Sequence, residues 1–186
     1  MPIDVKETSL DEIKVEGTTY DDTVEVIYDK ELPESEYVAV LARVYPWRSV
    51  TKNTKVSLRD ESGRYIKDDK GNRVKEEVKD LTWFNADVVL AVKEGVHAGK
   101  AIKASLSTHP DMMGQLKSFL YCTGLFGVVA ADINKHIGAE VGVVTRNIER
   151  SWTDQNTGLE RTVAESKASY FKKPSEITNT EEDFGV

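Results

Sequence analysis

A single cysteine, Cys122, stands in a chain of 186 residues, so no disulfide can form within it. That usage fits a reducing compartment. Long apolar runs are missing as well. The longest, Leu125 to Ala131, falls far short of the roughly 20 residues that cross a bilayer. The opening stretch, MPIDVKETSLDE, is acidic and has no apolar run, which argues against a signal peptide. These absences predict a soluble, cytoplasmic protein with no membrane partner. Catalytic signatures are equally scarce: the chain has no HExxH, CxxC or Gly-x-Ser-x-Gly. His97, His109 and His136 sit in three separate turn-like segments without metal-ligand spacing. Glu94-Gly95 and Gly99-Lys100 hint at a phosphate loop, but GxxxxGK[ST] is absent and a strand rather than a helix should follow. Cys122 lies one position off an apolar helical stripe, which suits a structural role. The pair Glu76-Glu77 sits in a charged loop and reads as solvated. The expectation is a protein that is not an enzyme and uses no cofactor and no metal.

Charge is plentiful, at 31% of residues, and unevenly spread. Residues 1–36 hold 12 acidic and 3 basic residues, residues 37–174 hold 16 acidic and 22 basic, and residues 175–186 hold 4 acidic and none basic. A formal charge of −7 therefore hides a basic body between acidic ends. Such asymmetry points to a polyanionic partner together with an acidic interaction tail, although acidic ends also serve solubility alone. The chain divides accordingly into an acidic N-terminal extension (1–36), a body (37–174) and an acidic tail (175–186).

Hydrophobic periodicity places the elements. Tyr37 to Trp47 predicts a first strand, with Val38, Val40, Ala42 and Val44 as its core face. Residues 49–79 form a polar stretch with turn signals at Glu61-Ser62-Gly63 and Asp69-Lys70-Gly71-Asn72, predicting a flexible projecting hairpin or pair of hairpins. Thr82, Phe84, Ala86, Val88, Leu90 and Val92 alternate as a second strand. Glu94 to Gly99 is a turn, and Ile102, Ala104 and Leu106 alternate as a third strand. Pro110 is placed as a first helical residue with Asp111 beside the helix's positive end. Met112, Leu116, Phe119 and Leu120 give the helical stripe, and Gly124 the stop. Asp132 to Gly138 reads as a short helical turn, Ala139 to Trp152 as a fourth strand, Thr153 to Gly158 as a hairpin turn, and Leu159 to Phe171 as a fifth strand. A mainly β chain with this order matches a five-stranded OB-fold (Greek-key) barrel, with a helix between strands three and four and a long loop after strand one.

Cations beside aromatics are the strongest functional signal. Arg43, Tyr45, Trp47 and Arg48 cluster at the end of the first strand, and Lys52 and Lys55 follow. Trp83 and Asn85 share the face of the second strand opposite Phe84, and Lys103 lies on the outer face of the third. Arg146, Arg150 and Trp152 share a face of the fourth, while Lys167, Tyr170, Phe171, Lys172 and Lys173 end the fifth. Rings stack on unpaired bases, and Lys and Arg meet phosphates. Each aromatic taken singly suits a core as well as a ligand face, and Phe84 and Phe119 are assigned to the core. The nucleic-acid-binding set is therefore Arg43, Tyr45, Trp47, Arg48, Lys52, Lys55, Trp83, Asn85, Lys103, Arg146, Arg150, Trp152, Lys167 and Tyr170. In the tail, Glu181, Glu182, Asp183 and Phe184 combine acid with one aromatic. That composition suits a basic groove with an apolar pocket, on a partner or on this chain when DNA is absent.

VVLAVKEGVHAGKAIKASLS, DINKHIGAEVGVVTRNIE, SKASYFKKP and the acidic end resemble phage and prophage single-stranded-DNA-binding proteins. The shared features are a V-x-E-G-x-x-x-G-K turn and an I-G-x-x-V-x-V strand entry, within roughly residues 37–186. The resemblance implies an OB fold that binds single-stranded DNA in phage replication, recombination or DNA repair, within the host cytoplasm. It also implies a tail that recruits replication or recombination proteins and competes with DNA. Phe184 is followed by Gly185 and Val186, whereas in that family the aromatic often ends the chain. Two other readings stay open: a protein-interaction module or DNA mimic using the acidic ends, and an RNA-binding OB module. Homo-oligomerisation is also left open. Removing residues 176–186 is expected to tighten single-stranded DNA binding in an anisotropy titration. An unchanged or weaker affinity would remove the competition role of the tail.

Overall fold

The computed structural model of the chain describes residues 19–20, 26–27, 32–125 and 127–178. Its strands are β1 (Thr19–Tyr20), β2 (Glu36–Val44), β3 (Arg48–Ser57), β4 (Lys75–Val92), β5 (Ala101–Ser107), β6 (Glu140–Thr153) and β7 (Glu160–Lys172). One α-helix, α1 (Met113–Cys122), lies between β5 and β6, and a 3-10 turn (Ala130–His136) follows it. Among the described residues no helix is long and apolar enough to cross a membrane.

Strand pairing makes the chain mainly β and closes a ring. β2 pairs antiparallel with β4 and with β6, β4 with β5, and β6 with β7. A parallel contact between β5 and β7, at Lys103 and Lys167, joins the two halves. β1 and β3 add to the sheet outside this ring, on β2 and β4 respectively.

Side chains alternate about each strand, so the ring has an inner and an outer face. Phe84, Ala86, Val88, Leu90 and Val92 of β4 enter one core cluster with Ile102, Ala104 and Leu106 of β5. Val141 and Val143 of β6 and Ala168 and Phe171 of β7 join them. Helix α1 adds Leu116, Phe119 and Leu120, and Phe119 meets Phe171 edge-to-face with centroids 5.2 Å apart. Each Val, Leu, Ile or Phe among them contributes about 1.5–3 kcal/mol by leaving water, and each alanine less.

β2 differs from expectation. Its buried residues are Tyr37, Ala39, Leu41, Ala42 and Val44, whereas Val38 and Val40 are only partly covered. The register with β4 shifts between Leu41 and Arg43. That bulge inserts one residue and reverses the alternation, so Tyr37 to Leu41 face the core on odd numbers and Val44 on an even one. The long polar stretch after the first strand forms a hairpin, as its turn signals predict. Residues 48–57 are strand β3, laddered with the first half of β4, and bridges at Arg59–Tyr65 and Lys67–Arg73 continue the hairpin.

The helix starts later than Pro110 suggested. Met112 is its N-cap, and the first turn holds no acidic residue. Asp111 instead accepts hydrogen bonds from the Ser57 amide at 3.1 Å and the Ser57 hydroxyl at 3.0 Å, tying the end of β3 to the loop before α1. Met112 points away from the core and is exposed. Gly124 ends the helix with φ +73°, a left-handed conformation that glycine adopts without strain.

The core also reaches upstream of residue 37. Leu32 is fully buried, its amide donates to Ser166 Oγ, and its carbonyl accepts from Asn147 Nδ2. Leu32→Ala is therefore expected to lower stability by about 2–5 kcal/mol in urea unfolding. A loss under about 0.5 kcal/mol, the usual range for surface changes, would contradict this anchoring.

Candidate functional site

The outer face of the ring carries an ordered row of charge. Directly paired residues on neighbouring strands share a face. Arg43 pairs with Val89, Val89 with Lys103, Lys103 with Lys167, and Lys167 with Arg146. One row thus crosses β2, β4, β5, β7 and β6 with cations at four of five positions. The residues beside them in sequence, such as Val44, Val88, Ile102, Ala168 and Thr145, are buried. The alternation that fills the core is what turns these cations outward.

Like charges on adjacent strands repel, and one carboxylate offsets this at the seam. Glu165 accepts a hydrogen bond from Lys103 Nζ at 2.6 Å. That bond holds the Glu165 carboxyl below its ordinary value, against the opposing effect of partial burial.

Two adjoining hollows mark this face. The first, about 260 Å³, is lined by Tyr45, Asp87, Lys103, Ser105, Arg150 and Lys167 among others. The second, about 480 Å³, lies towards α1 and includes Arg48, Asn85, Asp87, Ser105, Met112 and Gln115. Asp87 and Ser105 border both, so the hollows lie side by side over β4 and β5, and the two together are called the outer groove below. The Asp87 carboxylate sits at the junction, accepting from Arg48 Nη2 at 2.8 Å and from Ser105 Oγ at 2.7 Å.

The structure gathers part of the expected set. Tyr45, Lys103, Arg150 and Lys167 line one hollow, Arg43 and Arg146 share the charged row, and Arg48 and Asn85 border the second hollow. Arg150 and Trp152 stand on the outer side of β6 with Arg146, and Trp152 is 45% exposed. Tyr170 is 50% exposed near the end of β7, with Lys172 Nζ 5.9 Å from its ring centre. Lys52 and Lys55 are exposed on β3, away from both hollows.

Two tryptophans are corrections. Trp83, expected to face a ligand, is only 5% exposed. It lies on the outer side of β4 but is covered there by Lys52 of β3 and by His109, whose ring meets it edge-on at 4.7 Å. With the Asn85 amide turned to satisfy its neighbours, its oxygen accepts from Trp83 Nε1 at 3.3 Å and its nitrogen donates to Ser107 Oγ at 2.6 Å. Trp47 is 8% exposed and belongs to the core cluster, its Nε1 buried without a hydrogen-bond partner. Chain cover from elements distant in sequence, which alternation cannot foresee, accounts for Trp83.

Sequence reasoning missed Asp87, Ser105, Gln115 and Glu165. The signal for Asp87 was present: it lies two residues beyond Asn85, on the same strand face. Near the hairpin tip, Arg59 and Arg73 lie over the Tyr65 ring at 3.9 and 3.8 Å, a cation–π arrangement that occupies the ring locally. The tail residues Glu181, Glu182, Asp183 and Phe184 lie outside the described residues. Nearer the body, Ile177 covers Gly142 of β6, where an added Cβ would lie 2.8 Å from the Ile177 side chain. Burial pushes the Cys122 thiol above its ordinary value, and among the described residues no cluster of His, Cys, Asp and Glu could hold a metal.

Comparison with models of known protein families gives no match, and no curated protein matches the chain.

The lowered Glu165 pKa sets a pH dependence. Its contribution to stability is fully present above the unfolded value of about 4.5 and is lost as pH falls through the lower folded value. Glu165→Gln should therefore cost about 1 kcal/mol in urea unfolding at pH 7, with the difference from the native chain vanishing in stronger acid. A difference that persists unchanged at pH near 3 would contradict the Lys103–Glu165 assignment.

Proposed function

We propose that this chain is a single-stranded-DNA-binding protein built on an OB-fold (Greek-key) barrel, and that the outer groove over β4 and β5 holds the strand. The carrying observation is the in-register row of Arg43, Lys103, Lys167 and Arg146 in a chain whose net charge is −7. In a chain acidic overall, four cations in register suit a polyanion. Support for the barrel comes from the order of pairings around the ring, its parallel seam and the position of the helix between the third and fourth ring strands.

Phosphates meet the lysines and arginines, releasing counterions. Tyr45 borders the groove, and Trp152 on the β6–β7 hairpin offers a second ring. Stacking on such rings is worth about 1–3 kcal/mol per base and tolerates any base. Binding is thus broadly sequence-tolerant, and it protects unpaired DNA during phage replication, recombination or repair, the acidic tail recruiting partner proteins. The role in phage metabolism rests on the resemblance of the turn at 92–100 and the strand entry at 137–143.

A labelled oligo-dT of roughly 30 nucleotides, long enough for several times the smallest OB site, is expected to bind at low salt and to weaken as salt rises. The Arg146→Ala/Arg150→Ala variant should weaken binding and lower the salt slope by about 1.4, at about 0.7 per lost phosphate contact. Absence of binding at low salt, or a variant with unaltered slope, would sink the reading. An RNA oligomer of the same sequence that binds tighter than DNA would reassign the ligand to RNA.

A further inference from the structure

We propose that the Arg48–Asp87 pair is a base-reading subsite that prefers guanine, an inference that rests on the nucleic-acid reading of the groove. Among the described residues, three carboxylates line the hollows: Glu165 is committed to Lys103 and Asp111 to Ser57, and Asp87 alone borders both hollows, where it would face a polyanion. It repels phosphate, and it stands where both hollows meet. Its chemistry suits a ligand group that donates hydrogen bonds, and in a nucleic acid the donors lie on the base edges.

The pair is held in a defined geometry. Arg48 Nη2 donates to Asp87 Oδ2 at 2.8 Å, and Ser105 Oγ donates to Oδ1 at 2.7 Å. Asp87 is mid-strand between the buried Ala86 and Val88, so its backbone is fixed by the core. An ionised carboxylate offers about four lone-pair sites, of which these bonds use two. The guanidinium has about five donor hydrogens and spends one on Asp87. Both side chains stay about half or more exposed, so the unused positions are open to a ligand.

Taken in spatial order, the pair presents a donor (Arg48), an acceptor (Oδ2) and an acceptor (Oδ1). That is the order on the pairing edge of cytosine, and its complement is guanine: carbonyl O6, then N1–H, then the N2 amine. Unpaired bases are read on these edges when they are splayed from a single strand. Adenine and cytosine each offer one amine to the carboxylate and set a ring nitrogen lone pair beside its second oxygen. Thymine has a single N3–H flanked by two carbonyls, which repel the carboxylate. Only guanine satisfies both carboxylate oxygens and the guanidinium together. The exposed Met112 on the same hollow gives the base face an apolar, polarisable surface. Because Ser105 and Arg48 already orient the carboxylate, little ordering remains to oppose binding.

The test is competition against a labelled oligo-dT bound to the full chain, read by anisotropy. Competitors of one length carry dG, hypoxanthine, dA or dC at the same few positions in a dT background. The dG competitor is expected to bind about five- to tenfold better than pure dT, and hypoxanthine, which lacks the N2 amine, to fall back towards dT. Asp87→Asn should bind dT more tightly, because a repelling charge is gone, while bringing dG and dT to equal affinity. Arg48→Ala should weaken dT binding and shrink the dG preference. Both side chains are exposed, and a thermal melt of each variant checks folding. Equal affinity for dG and dT competitors, or a preference that survives in folded Asp87→Asn, overturns this subsite and leaves the binding reading standing. Failure of every oligonucleotide to bind overturns both.

Discussion

The ring closes where β5 and β7 run parallel at Lys103 and Lys167, and that pairing sets two lysines in register on the outer surface. Closure pairs the two ring strands that would otherwise end the sheet there, leaving β1 and β3 as the edge strands. It also stores like-charge repulsion at the seam, since paired cations disfavour each other. Glu165, bonded to Lys103 at 2.6 Å, is the local remedy. A bound phosphate would serve in the same way from outside. Fold and charge are thus linked: the register that seals the core fixes the spacing of the cations, and a polyanion that binds them stabilises the folded chain by mass action.

Much of the fold was legible because alternation survives in the sequence. Phe84 to Val92, Ile102 to Leu106 and Arg146 to Trp152 show it, as do the glycines that end α1 and the turns. The failures have distinct physical causes. One bulged residue between Leu41 and Arg43 inverted the reading of β2. The hairpin over 48–79 was legible from its turns but the bounds of β3 were not, because β3 has few apolar residues and owes its strand character to pairing with β4. Asp111, placed by sequence at a helix terminus, serves the end of β3 through Ser57.

The charged outer face was legible in outline, and of its five expected aromatics Trp47 and Trp83 are buried while Tyr45, Trp152 and Tyr170 are exposed. The cations of β5, β6 and β7 lie on the outer face because their neighbours fill the core. Trp83 has the same strand-face logic yet is buried, because Lys52 and His109 close over it from elsewhere in the chain. Acidic groups were overlooked for the opposite reason. A search for polyanion contacts discounts carboxylates, yet Asp87 and Glu165 organise the cations beside them. The resulting surface is mixed: Lys167, Arg146 and Arg150 lie towards β6 and β7, and the hydrogen-bonded Arg48–Asp87–Ser105 array towards α1.

The central claim is that a nucleic acid lies on the outer face of β4, β5, β7 and β6. The most direct measurement is amide chemical-shift mapping of isotope-labelled protein titrated with oligo-dT. Shifts should concentrate along these strands, at Asp87, Lys103, Ser105, Arg146, Arg150 and Lys167. Shifts confined to the hairpin tip at 59–73, or none at saturating oligonucleotide, would contradict it.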